Sequence, residues 1–260
     1  MTAYDEHELS AVAHEAAQAA AAELLPRFGH RQQGIRAKSG PTDLVSDADL
    51  AAESAIRAVL ARRRPDDAIL GEEGGASGNG DLRWVIDPLD GTINFLFGVP
   101  QFAVSVACED RDGAVVGVVL DPIRQETFAA TRTGEPMLNG SGIAASGRED
   151  LARALVATGF AYDAEVRGHQ AATLARVLPR VRDIRRAGAA ALDLAWAACG
   201  RYDAFYERGV KPWDIAAGGL IAQRAGLSLR ALDADDEVPE GVVAAPPALL
   251  DELLGLILDR

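Results

Sequence analysis

Apolar residues in the first part of the chain recur at spacings of three and four, which is typical of an amphipathic helix. Over residues 5–28 the apolar stripe consists of Leu9, Val12, Ala13, Ala16, Ala20 and Leu24. Pro26 and Gly29 predict the end of this helix. The segment DADLAAESAIRAVLARRR repeats the same periodicity after Ser46, a good N-cap residue, and Pro65 ends it. The chain is therefore expected to begin with two helices.

Short β-type runs replace the helical spacing after the second helix. They are AILG at 68–71, WVID at 84–87, FAVSVACE at 102–109 and AVVGVVLD at 114–121. Gly- and Asp-rich turns join these runs, so consecutive strands are expected to pair in an antiparallel or mixed sheet. The Gly-rich tract at 75–80 is the most flexible-looking segment, and it is too short to link independent domains.

The second half of the chain alternates strands with helices. From residue 151 onward, the runs ALVATG, DAFYE and VVAA alternate with helical segments near 165–178, 188–199, 213–225 and 247–258. This alternation predicts an α/β fold, a layered α+β sandwich with two sheets. We expect one unit over residues 1–260, made of an N-terminal α+β sub-domain at 1–150 and a C-terminal α/β sub-domain at 151–260.

The composition indicates a globular protein, because 48% of the 260 residues are hydrophobic and 25% are charged. Lys and Arg number 26 against 39 Asp and Glu, which gives a net charge of −13, and the sequence has no dense basic stripe. We therefore expect no nucleic-acid partner. Cys108 and Cys199 are too few and too far apart for a disulfide framework, which indicates the cytoplasm. The sequence shows neither a signal peptide nor an apolar segment of membrane-spanning length, so no membrane association is expected.

The segment WVIDPLDGTINF carries the first candidate site. An apolar strand delivers Asp87, and Pro88 is expected to hold the turn that follows. Asp90 and Gly91 come next, before a helix begins at Thr92. Ionised carboxylates are costly to bury unless they are paired or bind a metal, so both aspartates are expected to face a cleft. Oxygen ligands suit Mg²⁺ and helix-start amides suit phosphate, although a turn that merely joins a strand to a helix is the competing interpretation.

Further acidic residues stand at element boundaries. Glu72 and Glu73 follow the strand AILG, and Asp214 stands at the start of an apolar helix. An aspartate at a helix start is often only an N-cap, which remains the alternative for Asp214. Together with the two aspartates of WVIDPLDGTINF, these acids predict a site for two or more hard cations, with most ligands in the N-terminal sub-domain.

Other catalytic classes fit the sequence less well. The nearest approach to a serine-hydrolase elbow, at residues 139–142, lacks the GxSxG spacing. The 4 histidines show no metal-ligand spacing such as HExxH, and no Walker loop is present. Phosphatases that form an aspartyl-phosphate carry a DxD pair, whereas two residues separate Asp87 from Asp90. A water molecule activated by bound cations remains as the nucleophile.

Motifs across most of the chain resemble those of the inositol monophosphatase family of Mg²⁺-dependent, lithium-sensitive phosphatases. The most specific are GEE at 71–73, WVIDPLDGTINF at 84–95 and WDIAAGGLIAQRAG at 213–226. KSGPTDLVSDAD at 38–49, LNG at 138–140 and RRAGAAALDLAWAACGRYDAFYE at 185–207 extend the resemblance over residues 36–226. The resemblance implies an αβαβα sandwich like that of inositol monophosphatases and fructose-1,6-bisphosphatases, and it implies a homodimer.

The resemblance also implies two to three Mg²⁺ ions and a set of metal ligands. Glu72, Asp87 and the Leu89 carbonyl would hold the first ion. Asp87, Asp90 and Asp214 would hold the second, and Glu72 would also help a weaker third.

Catalytic and substrate roles follow from the same resemblance. Thr92 and Asp49 would orient and deprotonate the attacking water, with Glu72 as the third catalytic residue. The choice of Asp49 uses the position of Asp43, and Asp47 is close enough to compete. The expected substrate contacts are the Gly91 and Thr92 amides for the phosphate, and Gly188, Ala190, Glu207 and Asp214 for the rest of the molecule.

The expected reaction is hydrolysis of a small phosphorylated polyol or sugar, with inositol 1-phosphate as the first choice. Asn94 in DGTINF resembles the inositol monophosphatase branch. The segment AGLSLRAL departs from the Gly-Gly pair of many relatives, and the acidic run at 233–237 is expected to be a solvated loop. Histidinol-phosphate phosphatase, fructose-1,6-bisphosphatase and nucleotide 3′-phosphatase activities stay open, as does a non-catalytic regulatory binding module.

Overall fold

The structure is a computed structural model that describes residues 4–30, 34–37 and 44–258. Within these ranges the helices are α1 Glu6–Leu24, α2 Asp47–Arg63, α3 Thr92–Leu96, α4 Ala164–Val177, α5 Ala190–Ala198, α6 Pro212–Arg224 and α7 Pro247–Leu258. The strands are β1 Arg36–Ala37, β2 Leu44–Val45, β3 Ala68–Gly71, β4 Gly75–Ser77, β5 Arg83–Asp90, β6 Ala103–Asp110, β7 Gly113–Asp121, β8 Glu126–Thr131, β9 Met137–Leu138, β10 Ser141–Gly142, β11 Leu155–Thr158, β12 Asp183–Arg185, β13 Ala204–Arg208, β14 Ser228–Leu232 and β15 Gly241–Ala245.

Two larger sheets organise the chain. The first has eight strands in the order β10-β9-β8-β7-β6-β5-β3-β4, and the second has five in the order β12-β11-β13-β15-β14. Both are mixed: β3 pairs with β5 in parallel within an otherwise antiparallel first sheet, and β11 pairs in parallel with β12 and β13. The expectation of an antiparallel or mixed sheet from the short turns is therefore confirmed in its mixed form.

Helices cover both faces of each sheet and produce five layers. α1 and α2 pack on each other and on one face of the first sheet. α5 and α6 lie between the two sheets and contact both, and α7 packs on the outer face of the second sheet beside α4. The expected αβαβα sandwich is confirmed. Among the described residues, no helix is long and apolar enough to cross a membrane.

Side-chain alternation along β5 divides the core between these layers. Trp84 and Ile86 belong to the core under α1 and α2, whereas Val85 belongs to the core around α5 and α6. Successive residues of a strand point to opposite faces, so Asp87 follows Val85 toward α6. The Ser105 hydroxyl, opposite Asp87 on β6, donates 3.0 Å to the Trp213 carbonyl at the start of α6.

The boundaries of two predicted elements change. The first helix ends at Leu24 rather than near residue 28, because Pro26 lacks the N–H that the next helical hydrogen bond requires. Part of the Gly-rich tract at 75–80 forms β4, which pairs antiparallel with β3 in the register Ile69 opposite Ser77.

Among the described strands, the sequence analysis missed eight: β1, β2, β4, β8, β9 and β10, and also β12 and β14. The last two are the edges of the second sheet, and each has two exposed residues. Edge strands carry polar residues that prevent pairing with other chains, so they lack the apolar signal of a central strand.

Candidate active site

A cleft of about 390 Å³ opens where the end of β5 meets the starts of α3, α5 and α6. The predicted site residues that line it are Glu72, Asp87, Leu89, Asp90, Gly91, Thr92, Gly188, Ala190, Glu207 and Asp214. Asp49 lies behind Thr92 and is hydrogen-bonded to it. The fold thus brings residues from both halves of the chain to one cavity.

An irregularity in β5 brings two of the acids to the same face. Asp87 lies opposite Ser105, whereas Asp90 lies opposite Ala103, so β5 holds one residue more than β6 over this stretch. In a regular strand, residues three apart point to opposite faces, and one extra residue reverses that alternation. Pro88 was expected to hold a turn, but it lies inside this bulge, where a missing N–H is tolerated. Both carboxylates consequently line the cleft.

The Asp90 carboxylate joins the first sheet to the start of α5. It accepts hydrogen bonds from the backbone N–H groups of Ala190 at 3.0 Å, Ala191 at 2.8 Å and Leu192 at 3.3 Å. Burial raises the pKa of Asp90 to about 7, and these three N–H groups act against that rise. The carboxylate that was predicted as a metal ligand therefore also caps a helix.

Asp87 and Asp214, which were also predicted as metal ligands, likewise accept hydrogen bonds from nearby backbone N–H groups. Asp87 accepts from the Leu89 N–H at 2.9 Å, and Asp214 accepts from the Lys211 N–H at 2.6 Å at the start of α6. The segment after Asp87 is a bulge of β5 rather than a turn between elements, and Asp214 is the third residue of α6 rather than its N-cap, which is Lys211. Burial raises the pKa of both carboxyls well above their usual range, and so do their acidic neighbours, which include Glu72 for each of them.

The donor set fits a hard divalent cation in its chemistry, although it is not a finished metal cage. Among the described residues, no group of three or more His, Cys, Asp or Glu is already arranged to hold a metal ion. The carboxylates instead accept backbone N–H groups, and the charges of their acidic neighbours add to the rise in pKa that burial gives Asp87 and Asp214. Clustered carboxylate oxygens are ligands that Mg²⁺ prefers, and a cation would relieve this repulsion.

The Thr92 hydroxyl pairs with Asp49 and not with Asp47. Thr92 Oγ1 lies 3.0 Å from Asp49 Oδ1 and 3.1 Å from the Leu89 carbonyl oxygen. The other Asp49 oxygen accepts from the N–H and the hydroxyl of Ser46, at 2.8 and 2.7 Å, in a capping box that starts α2. Asp49 is fully buried, whereas Asp47 is exposed. Asp43, on which the choice of Asp49 depended, lies outside the described residues.

Glu207 lines the same cleft as the acidic cluster. Burial of its carboxyl raises its pKa to about 8, the nearby Arg186 lowers it, and Asp90 raises it. A Cβ on Gly159 would clash with this carboxylate, so the absence of a side chain at residue 159 makes room for it. Gly188 has φ +86°, a conformation that favours glycine.

Comparison with known proteins places these residues in a family. Residues 5–257 match the pattern described as "Inositol monophosphatase family". The chain belongs to the inositol monophosphatase family. It is 43% identical over 245 residues to the "Inositol-1-monophosphatase SuhB" of Mycobacterium tuberculosis, covering 90% of this chain and 84% of that one. It is 50% identical over 195 residues to the "Nus factor SuhB" of Pseudomonas aeruginosa, covering 71% and 70%.

The fold of this chain matches the folds of solved structures from the same family. The extragenic suppressor protein suhB from Bartonella henselae matches with a TM-score of 0.89 and 34% identity, over 96% of this chain and 98% of that one. The inositol monophosphatase from Anabaena matches with a TM-score of 0.83 and 32% identity, over 97% and 96%. The resemblance inferred from the motifs is therefore confirmed.

The sequence analysis missed a clamp of two α2 side chains, Glu53 and Arg57, on the backbone that follows Glu72 in this family member. Glu53 on α2 is 3% exposed, and its carboxylate accepts from the N–H groups of Glu73 at 2.7 Å and Gly74 at 2.8 Å. Arg57 donates to the same carboxylate at 2.7 Å and to the Gly75 carbonyl at 2.8 Å. An acid on the apolar face of α2, one turn before an arginine, was the available signal.

Three more residues shape this part of the protein: Asn94, which the sequence analysis named only for its likeness to one family branch, and Arg186 and Lys211, which it missed. The Asn94 side-chain amide donates to the Gln101 carbonyl at 2.7 Å and to the Ala187 carbonyl at 2.8 Å, which ties α3 to the segment before α5. Arg186 and Lys211 also line the cleft. Nothing in the spacing of these residues distinguishes them from surface charges, so only the fold identifies them.

Proposed function

We propose that this chain catalyses the Mg²⁺-dependent hydrolysis of a small phosphate monoester, with inositol 1-phosphate as the leading substrate. Membership of the inositol monophosphatase family supports a phosphatase. The observation that carries the proposal is the convergence of Glu72, Asp87, Asp90 and Asp214 on one cleft beside the Thr92–Asp49 pair. Carboxylates alone would repel a phosphate, so this arrangement requires cations between the protein and the substrate.

Two to three Mg²⁺ ions would be held by the acids at the floor of the cleft. Glu72, Asp87 and the Leu89 carbonyl would hold the first, and Asp90 and Asp214 would join Asp87 for the second. When bound, Mg²⁺ lowers the pKa of the water molecule that it holds and neutralises negative charge on the phosphoryl oxygens. The family is generally metal-dependent, which supports this assignment.

The Thr92–Asp49 pair is suited to hold the attacking water. Asp49 is buried and anchored by the Ser46 N–H and hydroxyl, so its free oxygen is directed at Thr92. In our proposal the Thr92 hydroxyl donates to Asp49 and accepts from the water, and the carboxylate receives the proton through it. Gly91, at φ +95°, exposes backbone next to this hydroxyl, and the amides of Gly91 and Thr92 would bind the phosphate.

The alcohol part of the substrate would contact Glu207, Gly188 and Ala190. Asp214 would lie between this alcohol part and the metal ions. Glu207 would form hydrogen bonds with substrate hydroxyls. The Ala190 N–H already donates to Asp90, so we assign Ala190 a packing contact rather than a hydrogen bond from its amide. A polyol with several hydroxyl groups suits this wall.

A phosphate-release panel tests the proposal. Inositol 1-phosphate, histidinol phosphate, fructose 1,6-bisphosphate and 3′-phosphoadenosine 5′-phosphate are incubated with and without Mg²⁺. We expect Mg²⁺-dependent release, fastest from inositol 1-phosphate. If histidinol phosphate were hydrolysed fastest, it would replace inositol 1-phosphate as the proposed substrate, and the metal assignment would not change.

Asp90→Asn supplies the matched variant for the panel. Asparagine keeps one acceptor for the start of α5 but loses the negative charge, so we expect a folded protein without phosphate release. Asp121→Asn is the control, because Asp121 is equally buried but binds only its own turn and Arg124. No release from any substrate by the wild type in Mg²⁺ would contradict the enzyme proposal.

A regulatory binding role is the second candidate, and the 50% identity to a protein named "Nus factor SuhB" favours it. A wild type without activity in the panel would support this role, whereas activity that depends on Asp90 would favour the enzyme. The absence of a nucleic-acid partner, the homodimer, the lithium sensitivity and the cytoplasmic location remain proposals from composition and family resemblance.

We also propose that residues 1–150 and 151–260 work as one unit with two sub-domains. Support comes from the cleft, where Asp90 of the first half is hydrogen-bonded to three consecutive backbone groups of the second.

A further inference from the structure

The rim of the cleft carries a cation that the proposed reaction does not use. Arg186 precedes α5 by four residues and lines the cleft together with Gly188 and Glu207. A Cβ on Gly188 would clash with an Arg186 guanidinium nitrogen, which shows that the guanidinium lies against this glycine. Its charge acts on Glu207, whose pKa it lowers.

Arg186 differs from the neighbouring arginines in its contacts, although its charge also lowers the pKa of the buried Asp193. Among the described residues, the Arg186 guanidinium has no hydrogen-bond or ion-pair partner, and the residue is exposed. Arg208, also at the cleft, donates to the carbonyls of Asp233 and Pro239. Arg185 forms a 2.6 Å ion pair with Asp183.

The position of Arg186 places it beside the substrate's alcohol part. The Gly188 carbonyl oxygen would lie 3.3 Å from a Cβ on Gly91, so Gly188 adjoins the proposed phosphate site. Arg186 therefore lies near both that site and Glu207, the residue proposed to bind the substrate hydroxyls. A guanidinium there can donate hydrogen bonds to oxygen acceptors and attract anions, and it repels an ammonium group.

We propose that Arg186 is a specificity-determining residue that selects alcohols rich in oxygen acceptors or bearing a second anionic group, and that rejects alcohols bearing an ammonium group. This inference rests on the proposed function and deepens it. The favourable contribution of Arg186 to substrate binding should depend on substrate charge. It should be largest for a sugar bisphosphate and smaller for a polyol monophosphate, and it should be unfavourable for histidinol phosphate.

The test compares Arg186→Gln with Arg185→Gln as the matched control, since Arg185 is exposed, adjacent and absent from the cleft wall. The values of kcat/KM are measured with Mg²⁺ for fructose 1,6-bisphosphate, inositol 1-phosphate and histidinol phosphate. In Arg186→Gln we expect the ratio of fructose 1,6-bisphosphate to histidinol phosphate to fall about tenfold, mainly through KM. Arg185→Gln is expected to keep the wild-type ratio, and Arg186→Lys to keep most of it.

The outcomes separate the two proposals. Equal changes on all three substrates in Arg186→Gln, or the same ratio change in Arg185→Gln, would overturn the role of Arg186 while phosphate release still supported the proposed function. No release from any of the three by the wild type would overturn the proposed function and this inference together. Thermal unfolding of each variant confirms that the comparison is made between folded proteins.

Discussion

Thr92 and Asp49 are separated by 43 positions in the chain and meet in a buried hydrogen bond of 3.0 Å. Asp49 has a structural use as well, because its second oxygen completes the capping box at the start of α2. A motif search can match Asp49, but the exposure of Asp47 and the burial of Asp49 are what distinguish the two aspartates. The pair therefore offers a sharp test of the proposed water activation.

Thr92→Val removes the hydroxyl and keeps the shape of the side chain. We expect kcat to fall by about 10²- to 10⁴-fold with little change in KM, the range for losing a positioned proton-transfer group. Thr92→Ser keeps the hydroxyl and should stay within about tenfold of the wild type. Thr133→Val is the control, since the Thr133 hydroxyl donates to Glu6 on the surface. A Val variant with wild-type kcat would show that the hydroxyl is not used.

The contacts between α2 and the β3–β4 turn show how a helix outside the cleft positions Glu72, a proposed metal ligand, inside it. The Glu53 carboxylate binds the backbone directly after Glu72, and the Glu72 N–H itself lies 3.3 Å from the Ile86 carbonyl of β5. α2 and β5 therefore fix the Glu72 backbone from both sides. Losing the clamp should weaken metal binding more than it slows the chemical step.

Glu53→Ala leaves two backbone N–H groups and Arg57 without their buried partner. We expect the Mg²⁺ concentration for half-maximal activity to rise by about tenfold, with a stability loss of about 3 kcal/mol. Glu53→Gln keeps an acceptor and should recover part of both. Calorimetric titration with Mg²⁺ and no substrate measures the binding directly.

Glu15→Ala is the control for this experiment, because Glu15 forms exposed ion pairs between α1 and α2 far from the turn. Unchanged Mg²⁺ binding in Glu53→Ala, at a temperature where the protein is folded, would contradict the positioning role.

The net charge of −13 includes buried acids that behave differently from the solvated ones. In the folded chain the pKa of Asp90 is raised to about 7 and those of Asp87 and Asp214 are raised well above their usual range, chiefly by burial. The folded state thus binds more protons than the unfolded state between the unfolded pKa, about 4, and the folded pKa. The stability contribution of these groups is fully present below about pH 4 and is lost as the pH rises through the folded pKa.

A pH series of thermal unfolding tests this difference. Without metal, the acid cluster should destabilise the protein at pH 8 relative to pH 5.5, whereas Mg²⁺ needs ionised ligands and should bind best at the higher pH. We expect about 10 mM Mg²⁺ to raise Tm at both pH values, and we expect this rise to be several degrees larger at pH 8 than at pH 5.5. Asp90→Asn should reduce that difference, and an equal Mg²⁺ effect at both values would contradict the cation assignment.

Much of the layered fold was predictable because its elements carry local signals. The helical stripe with Leu9, Val12 and Leu24 and the apolar runs of β5, β6 and β7 are strong periodic patterns, and all of these elements form. Edge strands such as β12 lack such a pattern, and their pairing depends on β11, which lies beside them only in the folded chain. The bulge at Pro88 was missed for the same reason, since it is defined by the partner strand β6.

The sequence alone established the family, the order of most elements and the acids of the cleft, since these depend on residue types at fixed spacings. Tertiary structure was needed to show that Asp90 caps α5 and that Asp49 rather than Asp47 meets Thr92. It was also needed to show that Glu53 holds the backbone beside Glu72 and that Arg186 lines the cleft. The physical reason is distance along the chain. Local hydrogen bonds and periodicity are written in neighbouring residues, whereas burial, repulsion between acids and the partner of a buried side chain arise only when distant segments pack together.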